Sequence, residues 1–275
     1  MFRQTFYFGT IRKYVTLFGT LFDDILIERT NSTGHLTSLI KVPITYAPKD
    51  KMLARTLADP DIDRQTAVPT LPVMSFEMTG ITYDGSRKLN TIRRTVVSDT
   101  DPNKMKYQYA PVAYNIGFRL HIYVKNAEDG TKIIEQILPY FTPDWTTTVQ
   151  LIPEMEITLE IPVVLDRISQ EDSYDGSFKE RRAITWTLDF TLKGYMYGPI
   201  KKGSIIKFAN TVYYAPSGTL ESGVGTTEPT MYGTVQPGLT ANGQPTANAS
   251  QSIDPNLITA TSDFGYVTNT VVLTT

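Results

Sequence analysis

The chain has no cysteine and only two histidines, His35 and His121, in 275 residues. The missing cysteine removes disulfides, thiol nucleophiles and thiolate metal sites together, and it fits assembly in a reducing compartment. His35 falls in a turn and His121 on the polar face of a strand, so both read as surface side chains rather than catalytic ones. No apolar run approaches the roughly 18 residues of a membrane helix. The opening MFRQTFYFGT lacks the apolar region and cleavage site of a signal peptide, so a soluble chain without a classical export signal is expected. GxSxG, HExxH, the P-loop and GxGxxG with an acidic partner are all missing. Asp59, Asp61 and Asp63, and separately Asp99, Asp101 and Asn103, imitate the opening of a calcium loop. Arg64 and Lys104 stand where that loop needs glycine, so both read as polar loops. The net charge of -2 and pI near 5.8 give no general attraction to nucleic acid or to an anionic membrane, and neither is expected as a partner. No cofactor, metal or catalytic residue is indicated.

What is present is alternating and helical apolar patterning. In IIEQILPYFTPDW, Ile133 to Trp145, Ile133, Ile134, Ile137 and Leu138 make one stripe of a short helix that Phe141 prolongs. Pro139 stops or kinks that helix and Pro143 keeps the next segment extended. Tyr140, Phe141 and Trp145 follow the stop as a ring cluster, either core packing or a subunit contact. A first amphipathic helix is read over Ile11 to Ile25, and a second, short one over Lys49 to Leu57 with Met52, Leu53 and Leu57 inward. Ile25 to Glu28 and Leu39 to Tyr46 read as a hairpin about the turn at Asn31 and Gly34, with Pro43 marking an edge or a bulge. Val73 to Tyr83 reads as a strand, and apolar alternation marks further strands at Tyr114 to Val124, Ile157 to Leu165 and Ile184 to Leu192. One apolar and one polar face per strand predicts an α+β fold, a mainly antiparallel sheet covered on one side by helices.

Beyond Lys207 no Lys, Arg or His occurs. Residues 1–215 are expected to form one α+β domain. Residues 216–275, rich in Gly, Ser, Thr and Pro, are expected as an extended low-complexity tail, because such composition buries too little apolar area to offset chain entropy. Phe264 to Leu273 regains β-type residues, a terminal strand that could be given to a neighbour's sheet.

Charge is local. GSRKLNTIRR carries Arg87, Lys88, Arg93 and Arg94 without an aromatic residue for base stacking, which suits solvent or an acidic protein surface better than nucleic acid. Glu180, Arg181 and Arg182 lead into the strand of Trp186, where arginines can pair with carboxylates across an interface or simply keep a strand end soluble. The candidate interface set is completed by Tyr140, Trp145, Phe264, Tyr266 and Val267. These residues describe a binding or structural protein rather than an enzyme.

Four blocks carry a family resemblance: RKYVTLFGTLFDDILIER (Arg12 to Arg29), KVPITYAPKDKM (Lys41 to Met52), IIEQILPYFTPDWTTT (Ile133 to Thr148) and RRAITWTLDFTLKGYMYGPI (Arg181 to Ile200). In this order they resemble the tail terminator, or tail-sheath stabilising, proteins of T4-like contractile-tailed bacteriophages. The resemblance implies a virion protein assembled in the host cytoplasm. It further implies a self-associated ring, taken to be hexameric, at the head-proximal end of the tail, capping the tube and last sheath ring and facing the neck. The implied partners are other copies of the chain, the sheath and tube proteins, and neck or head-completion proteins. Neither a catalytic residue nor a cofactor comes with it. Two other classes stay open: a β-rich adhesion or baseplate component, favoured by sixteen tyrosines and the Thr-rich tail, and a hydrolase with an unfamiliar site.

Overall fold

Residues 5–30, 36–57, 71–173, 183–214 and 229–272 are described by a computed structural model. In chain order the first elements are α1 (Thr10–Leu21), β1 (Leu26–Thr30), β2 (Leu36–Lys41), β3 (Ile44–Tyr46), α2 (Lys49–Leu57) and β4 (Val73–Tyr83). Next come β5 (Arg94–Ser98), β6 (Lys104–Tyr109), β7 (Val112–Val124), α3 (Ala127–Ile137), β8 (Asp144–Ile152), β9 (Ile157–Ser173) and β10 (Ala183–Met196). The last are β11 (Lys201–Ser204), β12 (Ala209–Tyr214), β13 (Pro229–Gly238) and β14 (Gly265–Val272). They fall into two units. The first comprises Met1–Arg93 and Ala110–Gly198, the second Arg94–Tyr109 and Pro199–Thr275.

The first unit is built on a six-stranded sheet ordered β3-β4-β7-β10-β9-β8. Its pairings are antiparallel except β3 with β4. The alternation in β7 sends Ile116, Phe118, Leu120, Ile122 and Val124 to one face, where all are buried. Against that face lies α1, whose Tyr14 and Phe18 are one helical turn apart and fully buried. The Phe18 ring stacks on Phe118 at 4.5 Å and meets Phe22, Phe76 and Phe190 between 5.2 and 5.4 Å, a geometry that adds quadrupole attraction to area burial. Tyr14 Oη donates to the Tyr195 carbonyl at 2.8 Å and accepts from its N–H at 2.9 Å. A Cβ at Gly194 would come within 2.8 Å of the Tyr14 ring, so glycine is what lets this ring lie on β10. Burial pushes the Tyr14 phenol up to about 12.

The β1–β2 hairpin docks on α3. Arg29 grips the buried Asp129 carboxylate with two 2.7 Å hydrogen bonds, and Gln136 Nε2 donates to the Leu26 carbonyl at 2.8 Å. The segment read as one strand from Leu39 to Tyr46 is divided around Pro43: β2 pairs with β1, and β3 is the short outer strand of the large sheet.

The expected α+β fold, one sheet covered on one side by helices, is corrected. The described chain is predominantly β, with fourteen strands in four sheets against three α-helices. The other face of the large sheet is also covered at one end. There Tyr123 and Val73 pack with Met52 of α2, and Tyr123 Oη donates to the Lys49 carbonyl at 3.2 Å. His121, expected at the surface, is 1% exposed on that face. Strand alternation reports which side chains share a face, and α2 reads as amphipathic, but neither reveals that α2 lies over the polar face.

The second unit holds the sheets β11-β6-β5 and β12-β13-β14. Residues expected as an extended tail thus contribute two strands of an antiparallel sheet, paired from Met231↔Val272 to Gly238↔Gly265. Close backbone approach organises it: a Cβ at Gly238 would lie 2.2 Å from the Thr246 carbonyl oxygen, and one at Gly265 2.8 Å from the same atom. Only Leu239, Ile258 and Val267 are buried hydrophobic residues among its described residues. The turn at 31–35 with His35, the Asp59, Asp61 and Asp63 run, Arg181 and Arg182 lie outside the described residues.

Candidate functional site

The ring cluster after α3 is where packing and exposure meet. Pro139 cannot continue the α-helix, and a 3-10 turn over Leu138–Tyr140 follows. The turn sends Phe141 onto Phe190 at 5.2 Å and Phe22 at 6.3 Å, while Tyr140 stays 69% exposed. Between this stretch, the end of α1 and the start of β8 lies a groove of about 610 Å³. Leu17, Phe22, Ile137, Phe141 and Trp145 give it apolar walls, Asp24 and Glu135 supply its charges, and no Lys, Arg or His lines it. Lys41 reaches Asp24 at 3.1 Å and Asp23 at 3.4 Å from outside the groove. Phe141 therefore packs inward and also walls the groove, which Tyr140 and Trp145 line with it.

The same groove borders β8, which among the described residues pairs only with β9 and so forms an edge of the large sheet. Leu165 N–H donates to the Pro143 carbonyl at 3.3 Å, and Asp144 stands opposite Val164. This fixes the ladder's phase, so the backbone groups of Asp144, Thr146 and Thr148 point away from β9. Near the strand's far end Lys13 Nζ donates to the Gln150 and Leu151 carbonyls at 3.2 and 2.6 Å.

The four cations of the basic segment do not act as one cluster. Arg87 is an internal strut, donating to Asp84 at 2.8 Å, to the Tyr114 carbonyl at 3.2 Å and to Asn115 Oδ1 at 2.8 Å, and lying 5.1 Å from the Tyr195 ring centre. The Ser86 hydroxyl and Arg87 together hold the Asp84 carboxyl well below the usual carboxylate range. Lys88 and Arg93 are exposed. Arg94 opens β5 in the second unit, its guanidinium 5.5 Å from the Tyr107 ring centre. Between Lys88 and Arg94, Thr91 and Ile92 are the only β-type residues, and Ile92 is 80% exposed. The Asn-Thr-Ile-Arg order there suits a turn with a side-chain bond from asparagine, and that was the available signal.

Of the C-terminal candidates, Tyr266 is 67% exposed and Val267 only 1%, as adjacent residues on a strand require. Phe264 meets the Tyr266 ring at 5.8 Å. Asp99, the first residue of one calcium-like run, is held by Lys202 at 2.9 Å and Lys106 at 3.3 Å. The Lys202 hydrogen bond keeps its carboxyl well below the usual range. No group of three or more metal-ligating side chains occurs among the described residues. His121 hydrogen-bonds Thr187 Oγ1 at 3.2 Å and lies 3.5 Å from Glu77. Those partners complete a buried polar cluster rather than present a base to a cleft.

Residues 5–259 match the family described as T4-like virus Myoviridae tail sheath stabiliser. The tail completion protein gp15 of Enterobacteria phage T4 is 30% identical over 230 residues, covering 81% of this chain and 84% of that protein. The family match takes in the four sequence blocks, the groove and the basic segment, and it continues past Ile200 through β13, ending before β14.

Proposed function

We propose a function that starts from kinship: the chain belongs to the tail sheath stabiliser family of T4-like viruses, whose members are structural proteins of the contractile tail. In our reading, copies of the chain close into a ring, a hexamer, at the head-proximal end of the tail. The ring binds the last sheath subunits and the tube on one side and offers the neck a different surface on the other. The role is structural, without catalysis.

The observation that carries this reading is the surface of the second unit. Ile206 is 89% exposed, Leu257 70%, Tyr266 67% and Val272 65%, while three hydrophobic residues are buried among its described residues. Apolar side chains gathered on one exposed surface mark an interaction site, and this reading takes the four to lie on surface that the assembly covers. Mass measurement in solution combined with negative-stain imaging tests the ring, and co-sedimentation with assembled sheath from the same phage tests attachment. Rings that bind sheath are expected. A chain that stays monomeric at every concentration and does not bind sheath overturns the proposal.

A further inference from the structure

The first unit carries a projecting apolar side chain flanked by cations and a receptive apolar groove bordered by carboxylates. We propose that in the assembled ring the turn bearing Ile92 on one copy seats in the groove beside α1 and β8 of the next copy. This rests on the ring reading above and names its subunit contact.

The projecting part is preformed. Asn90 Oδ1 accepts from Ile92 N–H at 3.0 Å, and the Asn90 carbonyl accepts from Arg93 N–H at 3.2 Å, so the turn is closed at its tip. Its base is pinned by the Arg87 bonds to Asp84, Tyr114 and Asn115. A side chain already held in its binding geometry gives up little entropy on docking. Ile92 is 80% exposed, and Lys88 and Arg93 beside it form no ion pair among the described residues. The groove offers the complement: apolar walls large enough for a branched aliphatic side chain, with Asp24 and Glu135 as its only charged lining. Of these, Glu135 has no cation partner among the described residues and Asp24 shares Lys41 with Asp23, so acidic charge remains in excess at the rim.

Within one chain the turn and the groove belong to different strands of the sheet. The turn follows β4, whereas the groove adjoins β8, the far edge strand of the same sheet. The strands β4 and β8 themselves are four strand spacings apart, roughly 19 Å. Two different surfaces on opposite halves of one sheet give a head-to-tail contact, the kind that generates a ring when the rotation closes. Opposite charges at the rim would steer the encounter and fix its register.

The absence of native cysteine makes the test clean. A chain carrying Ile92→Cys and Tyr140→Cys, treated with a short bismaleimide, is expected to give a ladder of covalent multimers, whereas either single variant gives no species beyond a dimer. Separately, Lys88→Glu with Arg93→Glu should weaken assembly about tenfold or more. Asp24→Lys with Glu135→Lys in the same chain should restore it. All four positions are exposed, and an unchanged thermal melt verifies the fold of each variant. Rings of normal mass without a ladder, or charge reversal without effect, overturn this contact while leaving the ring standing. Failure of the unsubstituted protein to form any oligomer overturns both.

Discussion

The two units of this chain solve the problem of being folded in different ways. In the first, aromatic rings from α1, β4, β7 and β10 converge on Phe18, which is fully buried. In the second, order comes from ladders, glycine-permitted backbone contacts, short turns such as Thr240 with Gln244, and lysines gathered on Asp99. A polypeptide can therefore hold a definite sheet with little interior, provided its backbone groups are paired. What such a unit leaves outside includes large apolar side chains such as Ile206 and Leu257. For a tail protein the contrast lies in how each unit stays folded, the first on a packed aromatic interior and the second on paired backbone.

The largest predicted effect lies in the first unit. Phe18→Ala should cost about 3 to 5 kcal/mol, the range for emptying a buried aromatic site, read as a shift in the urea midpoint. Amide protection along β14 should persist at denaturant concentrations where β7 has exchanged. Simultaneous loss of protection in both units would break the comparison.

Next comes the Arg29–Asp129 pair. Asp129 is 2% exposed and Arg29 36%, so removing the arginine strands a buried carboxylate. Arg29→Ala should cost about 2 to 3 kcal/mol, below the full range for a buried pair because solvent still reaches the arginine. Replacing Asp129 with Ala in the same chain should recover part of that loss in a double-mutant cycle. Strict additivity would mean that the two side chains do not interact in solution.

Much of the first unit was legible because apolar periodicity is what its packing uses. Lys49 to Leu57 and Val73 to Tyr83 appear as read. The strand centred on Leu120 gains only two residues at its start, and α3 stops at Ile137 as Pro139 requires. Alternation said nothing about β5, β6, β11, β12 or β13, whose lysines, threonines and glycines face solvent or other backbone. The argument from composition against a folded C-terminal region failed because it counted apolar area and not hydrogen-bonded ladders. The groove was half legible. Tyr140 and Trp145 were singled out, but the Leu17 and Phe22 side of it comes from a helix more than a hundred residues away. Val267 illustrates the remaining difficulty: a β-type run identifies a strand without telling which of two neighbouring residues faces inward.

Gly238 sharpens the comparison from the other side. Gly238→Ala places a methyl group 2.2 Å from the Thr246 carbonyl and 2.6 Å from the Val267 side chain, so backbone must move. The cost is expected at about 1 to 3 kcal/mol, the range for overpacking, and it should fall on the second unit. Hydrogen exchange should show weakened protection from Val267 to Val272, with β7 and β10 unchanged. Undiminished protection of β14 would show that the Thr246 segment yields easily and does not organise the sheet.

The smallest effect expected is a difference in acid sensitivity. His121 is enclosed by Thr187, Glu77, Lys49 and Arg119. Burial disfavours its charged form, the Glu77 carboxylate only partly offsets this, and the imidazole protonates below its usual 6.5. A histidine held neutral in the fold takes up a proton more readily in the unfolded chain. Its contribution to stability is therefore intact above 6.5, falls as the pH drops below that value, and levels off beneath the folded midpoint. The second unit has no histidine among its described residues. Its Asp99 carboxyl is depressed well below the ordinary range by Lys202. That contribution is present above the usual carboxylate range and is lost only in much stronger acid. Between about pH 7 and pH 5 the melting temperature of the first unit should therefore decline while amide protection in β13 and β14 holds. His121→Gln should flatten the first unit's decline, whatever it does to absolute stability. A wild-type slope retained in that variant would assign the acid sensitivity to other groups, and equal decline in both units would remove the electrostatic part of the contrast.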